Sequence, residues 1–283
     1  MDEQNQLELF AATAFELNPR SVQDIMAWPF FSLSKAKRLK PIVFSSPKND
    51  VQIKVSGNSE YGIANIYDAD VLLWACAQVR HQYESTGKKP PRTVEFIPSR
   101  LVRQTGRKWG GQTVEGMKKS LKRMASTFIE TTIRTEHIKQ ERGFHWIESY
   151  RTDEDRKTGD PAGPWSITLS QWLHEGILQD DNLLSLNLGY YALTSGLEKR
   201  LYQIARKHAG NQLWGATITM EALHAKAGSN DELKYFAREV RRIAKERPFL
   251  LDYYITVFRD REEKVQFRHQ RHGAFIPDRK TTH

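Results

Sequence analysis

The sequence predicts an α+β chain in which one small arrangement of helices and strands is used twice. Two observations carry this reading. A fixed order (helix, short strand, short helix, glycine, longer helix, β-rich pair) runs through the first half of the chain and returns in the second. The two passes register at an offset of 122 residues. Val79 then falls on Leu201, Leu101 on Leu223, Gly106 on Gly228, Val114 on Phe236, Leu121 on Ile243, Phe128 on Leu250 and Ile133 on Ile255. Short helix, turn, longer helix and hairpin make a winged helix. The expectation is therefore two winged-helix domains in tandem behind an N-terminal flexible arm. The expected limits are 1–40 for the arm, 41–169 and 170–268 for the domains, and 269–283 for a basic tail.

Each element has a local reason. Residues 1–40 show little periodicity beyond Leu7–Leu17. Val51–Val55 alternates apolar and polar, Gly57-Asn58-Ser59 is turn chemistry, and Ile63–Ile66 returns as a partner strand. Asp68 or Asp70 caps a helix with Val71, Leu72, Ala75, Val79 and Tyr83 on one face, and Gly87 ends it. Val94–Ile97 is a short strand, Pro98 opens a short helix ending at Gly106, and a longer helix spans about Gln112 to Ser126. Phe128–Ile138 and Phe144–Tyr150 are β-rich, with Glu141-Arg142-Gly143 as their turn. The breaker cluster Gly159–Pro164 is a loop or boundary, and Trp165–Leu169 is a strand. Then the order returns: a helix over Tyr190–His208, a short helix ending at Gly228, a longer one over Asp231–Arg247, and a hairpin of Leu250–Phe258 with Lys264–Arg268.

Composition sets the class of partner. The 283 residues carry 43 Lys+Arg against 34 Asp+Glu, a net charge of +9, which favours a polyanion, nucleic acid first. The excess is local. Phe30–Asn49 holds five Lys/Arg and no acid, and Arg100–Arg123 holds eight with Glu115 alone opposing them. One cysteine, Cys76, excludes an internal disulfide framework and any multi-cysteine metal site. No apolar run approaches the roughly 20 residues of a membrane helix. The acidic start has no basic n-region of a secretory signal, so a cytoplasmic protein is expected.

The two longer helices are the candidate DNA readers. In the second, Leu233, Phe236, Val240 and Ile243 are spaced 3, 4, 3, and Lys234, Arg238, Arg241 and Lys245 are spaced 4, 3, 4. At roughly 100° per residue the two stripes lie about 150° apart, with Arg242 on the basic border. In the first, Val114, Met117, Leu121, Met124 and Phe128 oppose Lys118, Lys119, Lys122 and Arg123. Arg100, Arg103, Arg107 and Lys108 precede it as candidate phosphate contacts. Arg238 and Arg241 are the best candidates for base contact, because the guanidinium fork matches guanine O6 and N7.

Enzyme chemistry finds little support. There is no G-x-x-x-x-G-K-[ST], and Gly106–Thr113 has its glycines in the wrong order for a phosphate loop. His269-x-x-His272 is too tightly spaced for a helical zinc pair and reads as a surface tail. No His-x-His accompanies Tyr190-Tyr191 or Tyr253-Tyr254 to suggest a nickase. No catalytic residue, metal or cofactor is expected.

Four collinear patches resemble the bacterial plasmid replication initiator protein A family: Gly143–Tyr150 with Trp165–Leu173, Leu197–Gly210 and Ile63–Val71. The resemblance implies a non-enzymatic protein that binds repeated sites in a plasmid origin. It also implies recruitment of a host initiator ATPase and the replicative helicase, a homodimer, and repression of its own promoter. A transcriptional repressor of the same fold is the alternative. The segment Gln6-Leu7-Glu8-Leu9-Phe10 is similar to the pentapeptide that binds the bacterial sliding clamp. There Gln6 would bond at the rim of a pocket, and Leu7, Leu9 and Phe10 would supply the apolar contact.

Overall fold

The computed structural model describes residues 17–48, 50–133 and 141–275. The chain enters through strand β1 (Arg20–Val22) and a one-turn helix α1 (Gln23–Ala27). Strands β2 (Ile42–Ser45) and β3 (Gln52–Ser56) follow, then the long helix α2 (Ala69–Thr86) and strand β4 (Thr93–Phe96). The first helix-turn-helix is α3 (Pro98–Gln104) and α4 (Gly111–Ser126). Strands β5 (Phe128–Thr131), β6 (Arg142–His145), β7 (Ile147–Arg151) and β8 (Trp165–Leu169) complete two antiparallel sheets, ordered β2-β3-β5-β6 and β4-β8-β7.

Helix α5 (Gln171–Leu178) and strand β9 (Leu183–Ser185) return the chain to its start, where β9 pairs with β1. The second unit is α6 (Gly196–His208), β10 (Ala216–Thr219), α7 (Met220–Ala227), α8 (Leu233–Glu246), β11 (Phe249–Leu250), β12 (Tyr253–Asp260) and β13 (Glu262–His269). Its sheet is ordered β10-β13-β12-β11. Both units are winged helices, so the α+β tandem fold expected from the repeat is the fold observed. No helix among the described residues is long and apolar enough to cross a membrane.

The offset of 122 has a physical basis. Gly106 and Gly228 follow the short helices with φ of 68° and 67°, the left-handed turn at which glycine carries no Cβ penalty. Both members of every apolar pair are buried except Phe128, which is 39% exposed while Leu250 is covered.

Five local expectations change. Arg20–Phe31, placed in the arm, belongs to the core: Val22, Ile25, Met26, Phe30 and Phe31 are buried, and Phe31 stacks on Trp146 at 4.7 Å. A three-residue strand and a five-residue helix are too short to show a period, so their burial is decided by tertiary partners. Ile63–Ile66 forms no strand. The edges of β3 are taken by β2 and β5, and the 63–66 segment bonds instead to the segment around Ser32: the Ser32 N–H donates to Ala64 O, the Ile66 N–H to Ser32 O and the Ile63 N–H to Arg38 O. The single strand expected over Phe144–Tyr150 breaks at Trp146, fully buried, and its halves join different sheets. Helix α6 starts at Gly196, not Tyr190, because Ser195 Oγ caps it by accepting from the Glu198 N–H. The tail likewise begins later than expected: His269 closes β13, buried edge-on against Tyr253 at 5.3 Å.

Candidate nucleic-acid interface

Helix α4 buries Val114, Met117, Leu121 and Met124, as its spacing requires, and leaves the opposite side polar. Its four basic residues then divide. Lys119 and Lys122 are exposed, with the Lys122 ammonium 5.7 Å from the Tyr61 ring. Lys118 is bound to Glu115 at 2.9 Å and Glu154 at 2.8 Å. Arg123 departs from the expectation of a DNA-facing side chain: it grips the buried Asp68 carboxylate at 2.6 and 2.7 Å. Glu154 and Asp68 come from distant segments, which a helical wheel does not see. Of the residues before α4, Arg100 is half-buried, while Arg103 and Lys108 are exposed. Arg107 donates to Asp70 at 2.8 Å and to Tyr67 O at 3.0 Å.

Helix α8 buries Phe236, Val240 and Ile243 and presents Lys234, Arg238, Arg241 and Lys245 on its outer side, all exposed. Leu233, expected in the apolar stripe, is itself 40% exposed at the first turn. Arg238 lies over the Tyr235 ring at 5.3 Å. Arg241 is held by the wing: Glu263 on β13 accepts both halves of its fork at 2.7 and 2.9 Å. Arg242 is bracketed by Glu239 and Glu246 one turn either side. These are exposed pairs, worth about 0–1 kcal/mol each, so a phosphate or base edge can displace the carboxylate at little cost.

Between the two units lies a charged seam that sequence reasoning missed. The Asp70 carboxylate, on the first turn of α2, is 2% exposed and accepts from Lys199 on α6 at 2.9 Å as well as from Arg107. Lys199 also donates to Tyr190 O at 3.2 Å and lies 4.3 Å from the Tyr190 ring. Burial pushes the Asp70 carboxyl up and the Lys199 ammonium down, and the pairing opposes both. The neighbouring Arg200 is buried with no carboxylate partner among the described residues. Its fork donates to the carbonyls of Ile25, Met26 and Lys226, and burial brings it down to about 9. The available signal is three consecutive charged residues, Glu198-Lys199-Arg200, early in α6, together with Asp68 and Asp70, expected only as caps.

The clamp-like residues Gln6, Leu7, Leu9 and Phe10 lie outside the described residues. Among the described residues no group of His, Cys, Asp and Glu could hold a metal ion. Cys76 is buried in α2, and burial pushes its thiol up to about 12, far from a reactive thiolate.

The family described as Replication initiator protein A matches residues 20–255. A curated protein of Wigglesworthia glossinidia brevipalpis, named "Putative replication protein", is 30% identical over 207 residues, 73% of this chain and 74% of that one. The crystal structure of domains 2 and 3 of RctB has the same fold: the TM-score is 0.61 at 13% identity, covering 86% of this chain and 96% of that one. The Pi initiator protein in complex with iteron DNA aligns at a TM-score of 0.44 and 16% identity, over 71% of this chain and 92% of that one.

Proposed function

The chain belongs to the replication initiator protein A family, and from that membership we propose that it binds repeated double-stranded sites in a plasmid origin through α4 and α8. The observation that carries this reading is the duplicated context of the two helices. Each follows a short helix and a left-handed glycine, precedes a hairpin, and turns basic side chains outward. Phosphate contacts from Lys119, Lys122, Arg103, Lys108, Lys234 and Lys245 supply affinity, and Arg238 and Arg241 read bases. Arg100 and Arg107 stand at the first turn as further phosphate contacts. Lys118, Lys234, Arg241 and Arg242 contribute by exchanging their carboxylates, and Arg107 and Arg123 only by leaving the buried Asp70 and Asp68. The expected limits 41–169 and 170–268 widen in this reading to take in Arg20–Phe31 before the first unit and His269 at the end of the second.

The protein acts without its own catalysis. It recruits the host machinery: the sliding clamp through Gln6–Phe10, and the host initiator ATPase and replicative helicase through surfaces not assigned to residues. Footprinting on the DNA flanking the gene tests the reading. Protection of tandem direct repeats beside an AT-rich segment supports initiation. Protection of one isolated palindrome supports a transcriptional repressor instead. Metal-dependent cleavage of supercoiled plasmid would overturn the non-enzymatic reading.

A further inference from the structure

The acid-free basic run of Phe30–Asn49 is unused by either recognition helix, and the structure places its 32–41 segment between the two units. Its backbone is fixed at both ends. Phe30, Phe31 and Ser32 are buried at one, Ile42 at the other, and the Ser32, Ile63 and Ile66 amides pin the middle. Arg38 donates to Gly228 O at 2.7 Å, so the segment is tied to the turn of the second helix-turn-helix. Three glycines at its contacts, Gly62, Gly196 and Gly228, have no room for a side chain. A Cβ on Gly228 would come 2.6 Å from Pro29, and one on Gly196 would come 1.9 Å from Leu33 O. On this fixed strap Lys35, Lys37 and Lys40 are exposed, and none has a carboxylate partner among the described residues. The Lys37 ammonium reaches only Ser59 O at 3.3 Å, and that of Lys35 faces the Tyr67 ring at 4.6 Å. This contrasts with α8, where Lys234, Arg241 and Arg242 are all paired to carboxylates.

The strap forms one wall of a groove of about 790 Å³ whose other wall includes Thr194, Asp231 and Glu239. Glu239 marks the flank of α8 opposite the wing, because the wing's Glu263 holds Arg241 on the other side. We infer that the strap is a third DNA-backbone contact, with Lys35, Lys37 and Lys40 lying along the phosphates on the side of α8 away from the wing. Asp231 and Glu239 repel a phosphate from the opposite wall, which leaves it on the lysine rim. The inference rests on α8 lying in the major groove. It adds that this helix is bracketed by two backbone contacts, one of them lent by the first half of the chain.

The test is a salt titration of binding to the footprinted repeat and to random duplex DNA, with wild type, a Lys35→Ala, Lys37→Ala, Lys40→Ala triple variant and Lys40→Ala alone. Three lost phosphate contacts should lower the slope of log K against log salt by nearly three units. The wild-type affinity loss between 50 and 200 mM salt should then shrink by about 40-fold, equally on both DNAs. Lys40→Ala should remove about one unit, and melting temperatures should be unchanged. Lys88→Ala with Lys89→Ala, at the far end of α2, should alter nothing. A steep wild-type slope that the triple variant retains would overturn the strap alone. A wild type that binds no duplex DNA would overturn the parent reading and the strap with it.

Discussion

Asp70 and Lys199, 129 residues apart, meet in a buried ion pair of 2.9 Å that joins the two winged helices. Each lies within one of the sequence patches that carry the family resemblance, Ile63–Val71 and Leu197–Gly210. Two desolvated charges are tolerable only while both are present. Asp70→Asn is therefore expected to cost about 3–5 kcal/mol, because Lys199 is left buried and unpaired. Asp70→Leu with Lys199→Met should cost less than Asp70→Asn alone. Denaturant midpoints of wild type, Asp70→Asn, Asp70→Leu, Lys199→Met and the double variant measure this, and a double variant that loses the sum of its two single changes would show that the pair is not coupled.

Arg241→Ala is expected to weaken binding to the repeat by about 1–3 kcal/mol and to random DNA by less. Glu263→Gln should act in the opposite direction on both DNAs, because it frees the Arg241 fork. Equal losses for Arg241→Ala on both DNAs would demote Arg241 to a phosphate contact. Titrations on both duplexes decide.

With roughly 6–10 phosphates contacted, affinity should fall by about 10³–10⁵ between 50 and 200 mM salt. A flat dependence would turn both basic faces away from DNA and favour a protein-interaction module.

Leu9→Ala with Phe10→Ala should abolish binding to the bacterial sliding clamp while leaving DNA affinity and melting temperature unchanged. A pull-down beside a DNA titration and a melting curve separates the outcomes. A large fall in melting temperature would make both residues part of the first core.

His208 ends α6 with its Nε2 buried and unbonded among the described residues, and burial brings its imidazole down to about 4. A depressed histidine is neutral in the folded state and takes a proton on unfolding. Stability is thus complete above pH 6.5 and lost as pH falls from 6.5 toward 4, by about 2 kcal/mol after allowance for partial exposure. His174, lowered by the same cause, adds in the same direction. Urea midpoints from pH 7 to 4.5 should fall more steeply for wild type than for His208→Gln.

The repeat was legible because each copy carries its own punctuation: Gly106 and Gly228 for the turn, and apolar spacings of 3 and 4 for the long helices. What stayed hidden depends on partners distant in sequence. Nothing near Arg123 announces Asp68, and nothing near Lys118 announces Glu154, so the outward basic face of α4 was read too large. Phe30 and Phe31 are conspicuous aromatics, but only the Trp146 and Trp172 rings explain them. The exposed cations of α8 were read correctly as exposed. Their engagement by Glu263, Glu239 and Glu246 is partly local, since the last two lie one turn from Arg242.

The copies are no longer interchangeable. At the offset of 122, Glu198-Lys199-Arg200 stands where the first copy has Cys76-Ala77-Gln78. The second unit cut free would take Asp70 from Lys199 and the Ile25 and Met26 carbonyls from Arg200. If α4 and α8 both read DNA as proposed, that seam would set the phase between them, and the molecule would act as a ruler. Inserting about five base pairs, half a helical turn, between the segments they touch would carry one segment to the far side of the duplex. The protein would then have to release one of them.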